Sequence, residues 1–286
     1  MADITFTRAF GTDVAEFSTP YATATVSFFG GQTLSFKPRD GEDLLFRPAE
    51  IDFTKGEEVH GGIPVCWPWF GACGEPGTGK HGFFRYSRLQ HLETHWGNES
   101  ARLVLGLFSS PETEAIWPYS FEAIFTIRLS DRLTLELTQT NTGDKPFAVT
   151  EGFHPYLRVS DRDNVSVAGV DGDPCVLATD GVPGVQQGDY KPVPNGSMVF
   201  TPHLDTHILR DPGLKREIHV KGTGTKKLVV WNPGKFGPGD WQNLGAEDYR
   251  HFLCVEPATL FRDAAVTLAP GETHTIRMEL YATPIA

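Results

Sequence analysis

The sequence predicts an all-β protein, a large antiparallel β-sandwich, and three observations carry that reading. Apolar and polar residues alternate with the period of a strand in run after run. Gly, Pro, Ser and Asp gather between the runs, where turns are needed. Helical periodicity is confined to fragments such as residues 245–252.

Along the chain, "TATVSFFGGQTLSF" places Val26 and Phe28, then Leu34 and Phe36, around Gly30-Gly31. Two consecutive glycines suit a hairpin whose central residues both need positive φ. The runs 102–108 (RLVLGLF), 121–129 (FEAIFTIRL) and 132–138 (RLTLELT) continue the alternation, with Ser130-Asp131 turning the last pair. Near the C-terminus "VTLAPGETHTIRMELYA" reads as two strands about Pro270-Gly271, with Ile276, Met278 and Leu280 on one face. No fixed-period repeat or low-complexity tract supports a propeller or a solenoid, so a two-sheet sandwich remains.

With 286 residues, 40% of them hydrophobic and 12% aromatic, the chain has ample material for a core. The Gly- and Pro-rich patches at 71–79, 171–196 and 232–240 are short and lie between apolar strands, so one domain over 1–286 is expected. A net charge of −11 argues against nucleic acid or anionic membrane as a partner. "MADITFTRAF" lacks the basic start and apolar core of a signal peptide, and no run nears the ~18 apolar residues of a span. A cytoplasmic, monomeric protein is expected. Cys66, Cys73, Cys175 and Cys254 show no CxxC spacing and are expected as free, mostly buried thiols.

Two motif matches fail on their context. "GEPGTGK" (74–80) fits most of a phosphate-binding loop, but His81 stands where Ser or Thr is required, and "HGFFRYS" alternates like a strand where a helix is required. "HLDTH" (203–207) has zinc-ligand spacing but no Glu after the first His, and Pro202 argues for extended chain. No metal is expected.

Four segments mix aromatics with ionisable groups beside Gly or Pro: 60–71 (HGGIPVCWPWFG), 80–91 (KHGFFRYSRLQH), 150–161 (TEGFHPYLRVSD), and 229–233 with 252–258 (VVWNP and FLCVEPA). That mixture suits a sugar site, where rings stack on apolar sugar faces and polar groups fix hydroxyls. His154 and Glu256 each precede a proline, which favours extended geometry at a strand end or bulge. For His154 alone, a core histidine bonded to a carbonyl is the simpler reading. Strand alternation puts Phe252, Cys254 and Glu256 on one face and Leu253 and Val255 on the other. A carboxylate in such a run is costly unless paired or catalytic, and desolvation raises its pKa toward that of a general base.

"GGIPVCWPWFG", "HGFFR", "TEGFHPYLRVSD" and "VWNP…CVEPA", in this order over residues 60–258, resemble the hexose-6-phosphate mutarotases of the aldose 1-epimerase superfamily. The resemblance implies a galactose mutarotase-like β-supersandwich that works without cofactor or metal on a small sugar phosphate. It implies that His154 is the general acid, Glu256 the general base, and His81 a holder of a sugar hydroxyl. Asp205 matches a sugar-binding Asp only loosely, and an ordinary turn residue is an equal reading. The family has Arg before Gly-Gly-Ile-Pro, where it contacts the 6-phosphate; here the residue is His60. Arg85 matches the Arg of the second motif. Residues 76–92 hold Lys80, His81, Arg85, Arg88 and His91 with no acid, which reads as an anion pocket or as a solvated strand face. On a strand His81 and Arg85 would share a face about 13 Å apart at ~3.3 Å per residue. Trp67, Phe70 and Trp231 are the aromatics to place near the sugar, although for any one of them core packing is the simpler reading. A mutarotase of unphosphorylated sugars and a noncatalytic sugar-binding module are the competing readings.

Overall fold

Strand periodicity is realised as three main antiparallel sheets in a computed structural model that describes residues 1–73, 79–178, 181–193, 196–235, 243–260 and 264–285. A four-stranded meander, Asp3–Ala9, Thr12–Ser18, Ala22–Ser27 and Thr33–Pro38, opens the chain. One eight-stranded sheet orders Ser166–Ala168, Thr206–Asp211, Arg216–Thr223, Thr273–Pro284, Leu133–Asn141, Phe121–Leu129, Ala101–Phe108 and Gln90–Trp96. The other runs Pro183–Val185, Pro174–Leu177, Gly196–Phe200, Lys227–Asn232, Phe252–Thr259, Glu151–Phe153 and Val65–Cys66, with Tyr156–Arg158 also paired to Phe252–Thr259. Every pairing between these strands is antiparallel, and one buried apolar cluster extends from the opening meander through both large sheets.

The expected turns are present. Gly30 and Gly31 have φ of 67° and 60°, and Ser27 N–H donates to Gln32 C=O at 2.9 Å to close the hairpin. Leu129 and Leu133 are opposed across Ser130-Asp131. Ile276, Met278 and Leu280 share a fully buried face. The strands on either side of Pro270-Gly271 pair with other partners, Val266–Leu268 with Phe147–Val149 and Thr273–Pro284 with the large sheet. One short α-helix, Pro111–Ile116, was not anticipated, although Ser110 caps it, Pro111 starts it and two acids fill its first turn.

Two readings need correction. Residues 81–87 do not form a strand. His81 and Gly82 have φ of 64° and 74°, a 3-10 turn follows over Phe84–Tyr86, and regular strand begins only at Gln90. Gly82 permits this because its backbone lies against Trp67, where a Cβ would come within 1.9 Å of the carbonyl oxygen. The 13 Å spacing of His81 and Arg85 along one strand face therefore lapses. Trp67, expected near the sugar, is fully buried in the main core, where its indole N–H donates to Gln139 Oε1. The phosphate-loop match at 74–78 lies outside the described residues. Within "HLDTH" only Thr206 and His207 are in a strand; 203–205 form an irregular, bent approach to it, with His203 Nδ1 2.5 Å from Asp173 Oδ1. All four cysteines are free, but only Cys66 and Cys254 are fully buried.

Phe252–Thr259 is the strand that organises the site. It is buried along its whole length, with Leu253 and Val255 in the main core and Phe252 and Cys254 in a smaller cluster with Phe46 and Tyr156. Glu256 follows the second face, as alternation predicts. On one side it pairs continuously with Lys227–Asn232. On the other side Glu151–Phe153 and Tyr156–Arg158 keep one register, Gly152 opposite Ala258 and Tyr156 opposite Cys254, with an unpaired gap between them. That register sets His154 across from Glu256. Pro155 and Pro257 have no N–H to give the ladder, so it opens there. His154 thus sits at a strand end, as expected, whereas Glu256 lies inside its strand.

Candidate active site

His154 Nε2 and Glu256 Oε2 are 3.7 Å apart, too far for a direct hydrogen bond and close enough for both to reach oxygens on one substrate carbon. Glu256 is 1% exposed and His154 6%. The His154 backbone N–H donates to Pro64 C=O at 3.0 Å. Its ring is stacked on Tyr156, with centroids 4.9 Å apart, and meets Trp231 and His81 edge-on at 5.5 and 5.6 Å. His154 Nδ1 and Glu256 Oε2 are buried without hydrogen-bond partners. Such orphaned groups are expensive to bury and mark a place where a ligand completes the bonding.

Burial pushes the Glu256 carboxyl well above its ordinary value, with the Arg85 charge opposing only in part. Burial also pushes His154 well below the usual imidazole value, helped by the charges of His81 and Arg85. The opposite shifts favour one proton on the pair, held by the carboxyl beside a neutral imidazole. Moving that proton to the imidazole converts the neutral pair into a carboxylate base and an imidazolium acid with no change in total charge.

His81 completes the group. Its Nδ1 accepts a hydrogen bond from Gly71 N–H at 3.2 Å, which places the ring proton on Nε2 as a donor. Burial, then the Arg85 charge, push its pKa down to about 4, so the ring is neutral. Phe70 stands edge-on to it at 4.9 Å. Trp231 is half-buried beside His154 and Tyr156.

Arg85 is buried on the 3-10 turn, and its charge bears on His81, His154 and Glu256. Its Nη1 lies 3.5 Å from Glu58 Oε1. Glu58 Oε2 is 3.0 Å from His60 Nε2, Glu58 Oε1 accepts from the Tyr86 hydroxyl at 2.7 Å, and His60 Nδ1 is 2.9 Å from Asn243 Oδ1. Burial raises the Glu58 carboxyl, but the His60 hydrogen bond, the Arg85 charge and the Tyr86 hydroxyl outweigh it and hold Glu58 well below the usual carboxylate range. Glu58 was missed in the sequence, where "GEEVH" carries no period and no motif. The basic run 76–92 does not form one pocket: Arg85 turns inward, Arg88 pairs with Asp13, and His91 contacts Thr94 and Phe6.

The structure thus brings His154, Glu256, His81, Trp231, Arg85 and His60 together. Asp205 stands apart, exposed just before Thr206–Asp211, and lines a separate cavity of about 230 Å³ with Lys226, Lys227 and Pro257. Donor atoms of His154, Cys254 and Glu256 lie within 4.8 Å of one another, the one such grouping found among the described residues. Burial favours the protonated thiol and the protonated carboxyl, and the set offers a cation a charge only once one of them loses its proton.

An antiparallel β-sandwich thus holds a carboxyl and an imidazole face to face among aromatic rings, a pair chemically able to give and take protons. The aldose 1-epimerase family model matches residues 13–281, and the chain belongs to that family. It is 31% identical over 279 residues to a Cenchrus ciliaris protein named "putative glucose-6-phosphate 1-epimerase", covering 91% of this chain and 82% of that one. An Escherichia coli K12 protein of the same name is 30% identical over 250 residues, covering 87% and 83%. The fold is shared with a "putative mutarotase" of Salmonella typhimurium, at a TM-score of 0.91 and 24% identity over 98% of this chain and 94% of that one.

Proposed function

We propose that this protein interconverts the α and β anomers of hexose 6-phosphates, with glucose 6-phosphate as the reference substrate. The observation that carries the reading is the placement of His154 and Glu256, 3.7 Å apart across the proline gap. When the sugar enters, the shared proton moves to His154. Glu256 then takes the proton of the anomeric hydroxyl while His154 protonates the ring oxygen. The C1–O5 bond breaks and the aldehyde forms. Rotation about C1–C2 presents the other carbonyl face, and reclosure returns both protons. Positioned acid and base groups are each worth about 10²–10⁴ in rate.

His81 Nε2–H donates to a sugar oxygen, Trp231 and Phe70 supply apolar surface, and Arg85 with His60 forms the basic end that receives the phosphate. The names of the two relatives support the phosphorylated substrate. Asp205 contributes to sugar binding only where the chain before residue 206 moves toward the pair. Among the described residues no helix is long and apolar enough to cross a membrane, which agrees with a cytoplasmic location.

A second reading has its own observation. Glu58 already occupies Arg85, and His60 replaces a guanidinium, so the site also fits an unphosphorylated sugar. NMR magnetisation transfer between anomers of glucose 6-phosphate, glucose and galactose separates the two. Acceleration confined to the phosphate supports the first reading. Acceleration confined to the free sugars replaces it with the second.

A further inference from the structure

We propose that Glu58 is a specificity-determining residue, an internal anion that bridges Arg85 and His60 and is displaced by the anionic group of the substrate. The inference rests on the reading of Arg85 and His60 as the phosphate-binding end.

The contacts of Glu58 are those of a bound oxyanion. One carboxylate takes the Arg85 guanidinium, the His60 imidazole and the Tyr86 hydroxyl, at 3.5, 3.0 and 2.7 Å. A guanidinium and a phenol on one carboxylate, with an imidazole nitrogen 3.0 Å away, form a set that recognises phosphate. Arg85 is the buried member, with its side chain 4% exposed, and among the described residues Glu58 is its ion-pair partner. The 3.5 Å separation is longer than a charge-assisted hydrogen bond, so this contact is the weakest of the three.

Glu58 has the means to leave. It belongs to an irregular segment between the 3-10 turn Phe53–Lys55 and the strand Val65–Cys66, where its backbone C=O accepts from Asn243 Nδ2 at 3.0 Å and, among the described residues, takes no part in a sheet ladder, so the side chain can turn away while the backbone stays in place. Its side chain is 29% exposed, so it reaches water without crossing the core. Glu58 itself lines a cavity of about 380 Å³ together with Glu50, Asp52, Lys55, Glu57 and Asn243, so a displaced carboxylate meets one lysine and three acids there and turns to water instead. Two anions cannot share one guanidinium and one imidazole at this depth without strong repulsion, so a phosphate binds at the expense of the carboxylate. The arrangement makes an anionic group a requirement for opening this end of the site and sets the affinity for sugar phosphates below what Arg85 alone would give.

The test is Glu58→Gln, which keeps size and acceptor while removing the charge, read by thermal unfolding in buffer free of oxyanions and again with inorganic phosphate. The variant is expected to be less stable than wild type without phosphate, because Arg85 is left buried and unpaired, and to gain more stability from phosphate than wild type does. Its KM for glucose 6-phosphate is expected to fall about 10-fold, with a smaller change in kcat. Glu58→Ala is expected to show the same phosphate dependence more steeply. A variant that gains no more stability from phosphate than wild type overturns the proposal, whatever its turnover. If phosphate stabilises the variant as expected but neither protein turns over glucose 6-phosphate, the anion site stands and the reading of the substrate falls.

Discussion

Glu256 sits where burial alone would select an amide or an apolar side chain. In the unfolded chain its carboxyl titrates near 4.5, and in the folded chain burial holds the proton well above that value. The folded state therefore binds a proton that the unfolded state releases, and its stability falls as pH rises above 4.5, by about 1.4 kcal/mol per unit. Glu256→Gln removes this penalty. It is expected to raise stability near neutral pH, the gain shrinking toward zero as pH falls to 4.5. Denaturant titrations of both proteins across that range check it, and an equal or lower stability at neutral pH would contradict it. The pair also fixes the activity profile. His154 is pushed below 6.5, so the acid limb of kcat/KM, where a second proton enters the pair, is expected below 6.5. An acid limb centred at or above that value would mean that His154 is not the titrating group. Both residues were legible because a proline followed each and an acid interrupted an apolar strand. Glu58 was not, because an acid in an irregular segment has no pattern to violate and only the folded chain shows what faces it.

At the scale of elements, the turn over residues 81–87 decides where His81 and Arg85 point. The sequence alternates through Phe83, Arg85 and Ser87 and so reads as a strand, yet the backbone reverses at His81-Gly82. Positive φ at a non-glycine residue is uncommon and carries no sequence signature, which is why the turn was not foreseen. Gly82→Ala adds a Cβ that would meet the Trp67 carbonyl oxygen at 1.9 Å and strains a φ of 74°. It is expected to cost at least about 2 kcal/mol of stability and to lower turnover even in the folded fraction, since His81 moves with the turn. Thermal unfolding and rates corrected for folded protein check this; wild-type stability would contradict the close approach. The proline gap at 155 and 257 is the complementary case. Here the residue type itself forbids the ladder bond, so the break could be read from the chain, while the register that sets His154 opposite Glu256 could not.

For the whole molecule, the class of fold followed from period and turns because each strand carries its own alternation. Pairing order did not follow, since it depends on which distant strands share a core. The strands flanking Pro270-Gly271 are adjacent in sequence and join different partners, and the strand Glu151–Phe153 finds its neighbours at residues 65–66 and 258–259. That long-range pairing is what brings His154, Glu256, His81 and Arg85 from separate segments into one site, and proton transfer by the His154–Glu256 pair is the claim on which the functional account rests. The most direct test is the rate of anomer exchange of glucose 6-phosphate, measured by NMR magnetisation transfer at equal concentrations of folded wild type and Glu256→Gln. The account predicts that the enzyme-dependent rate falls by about 10²–10⁴ in the variant while the fold persists. A variant that keeps exchange within a few-fold of wild type would contradict it.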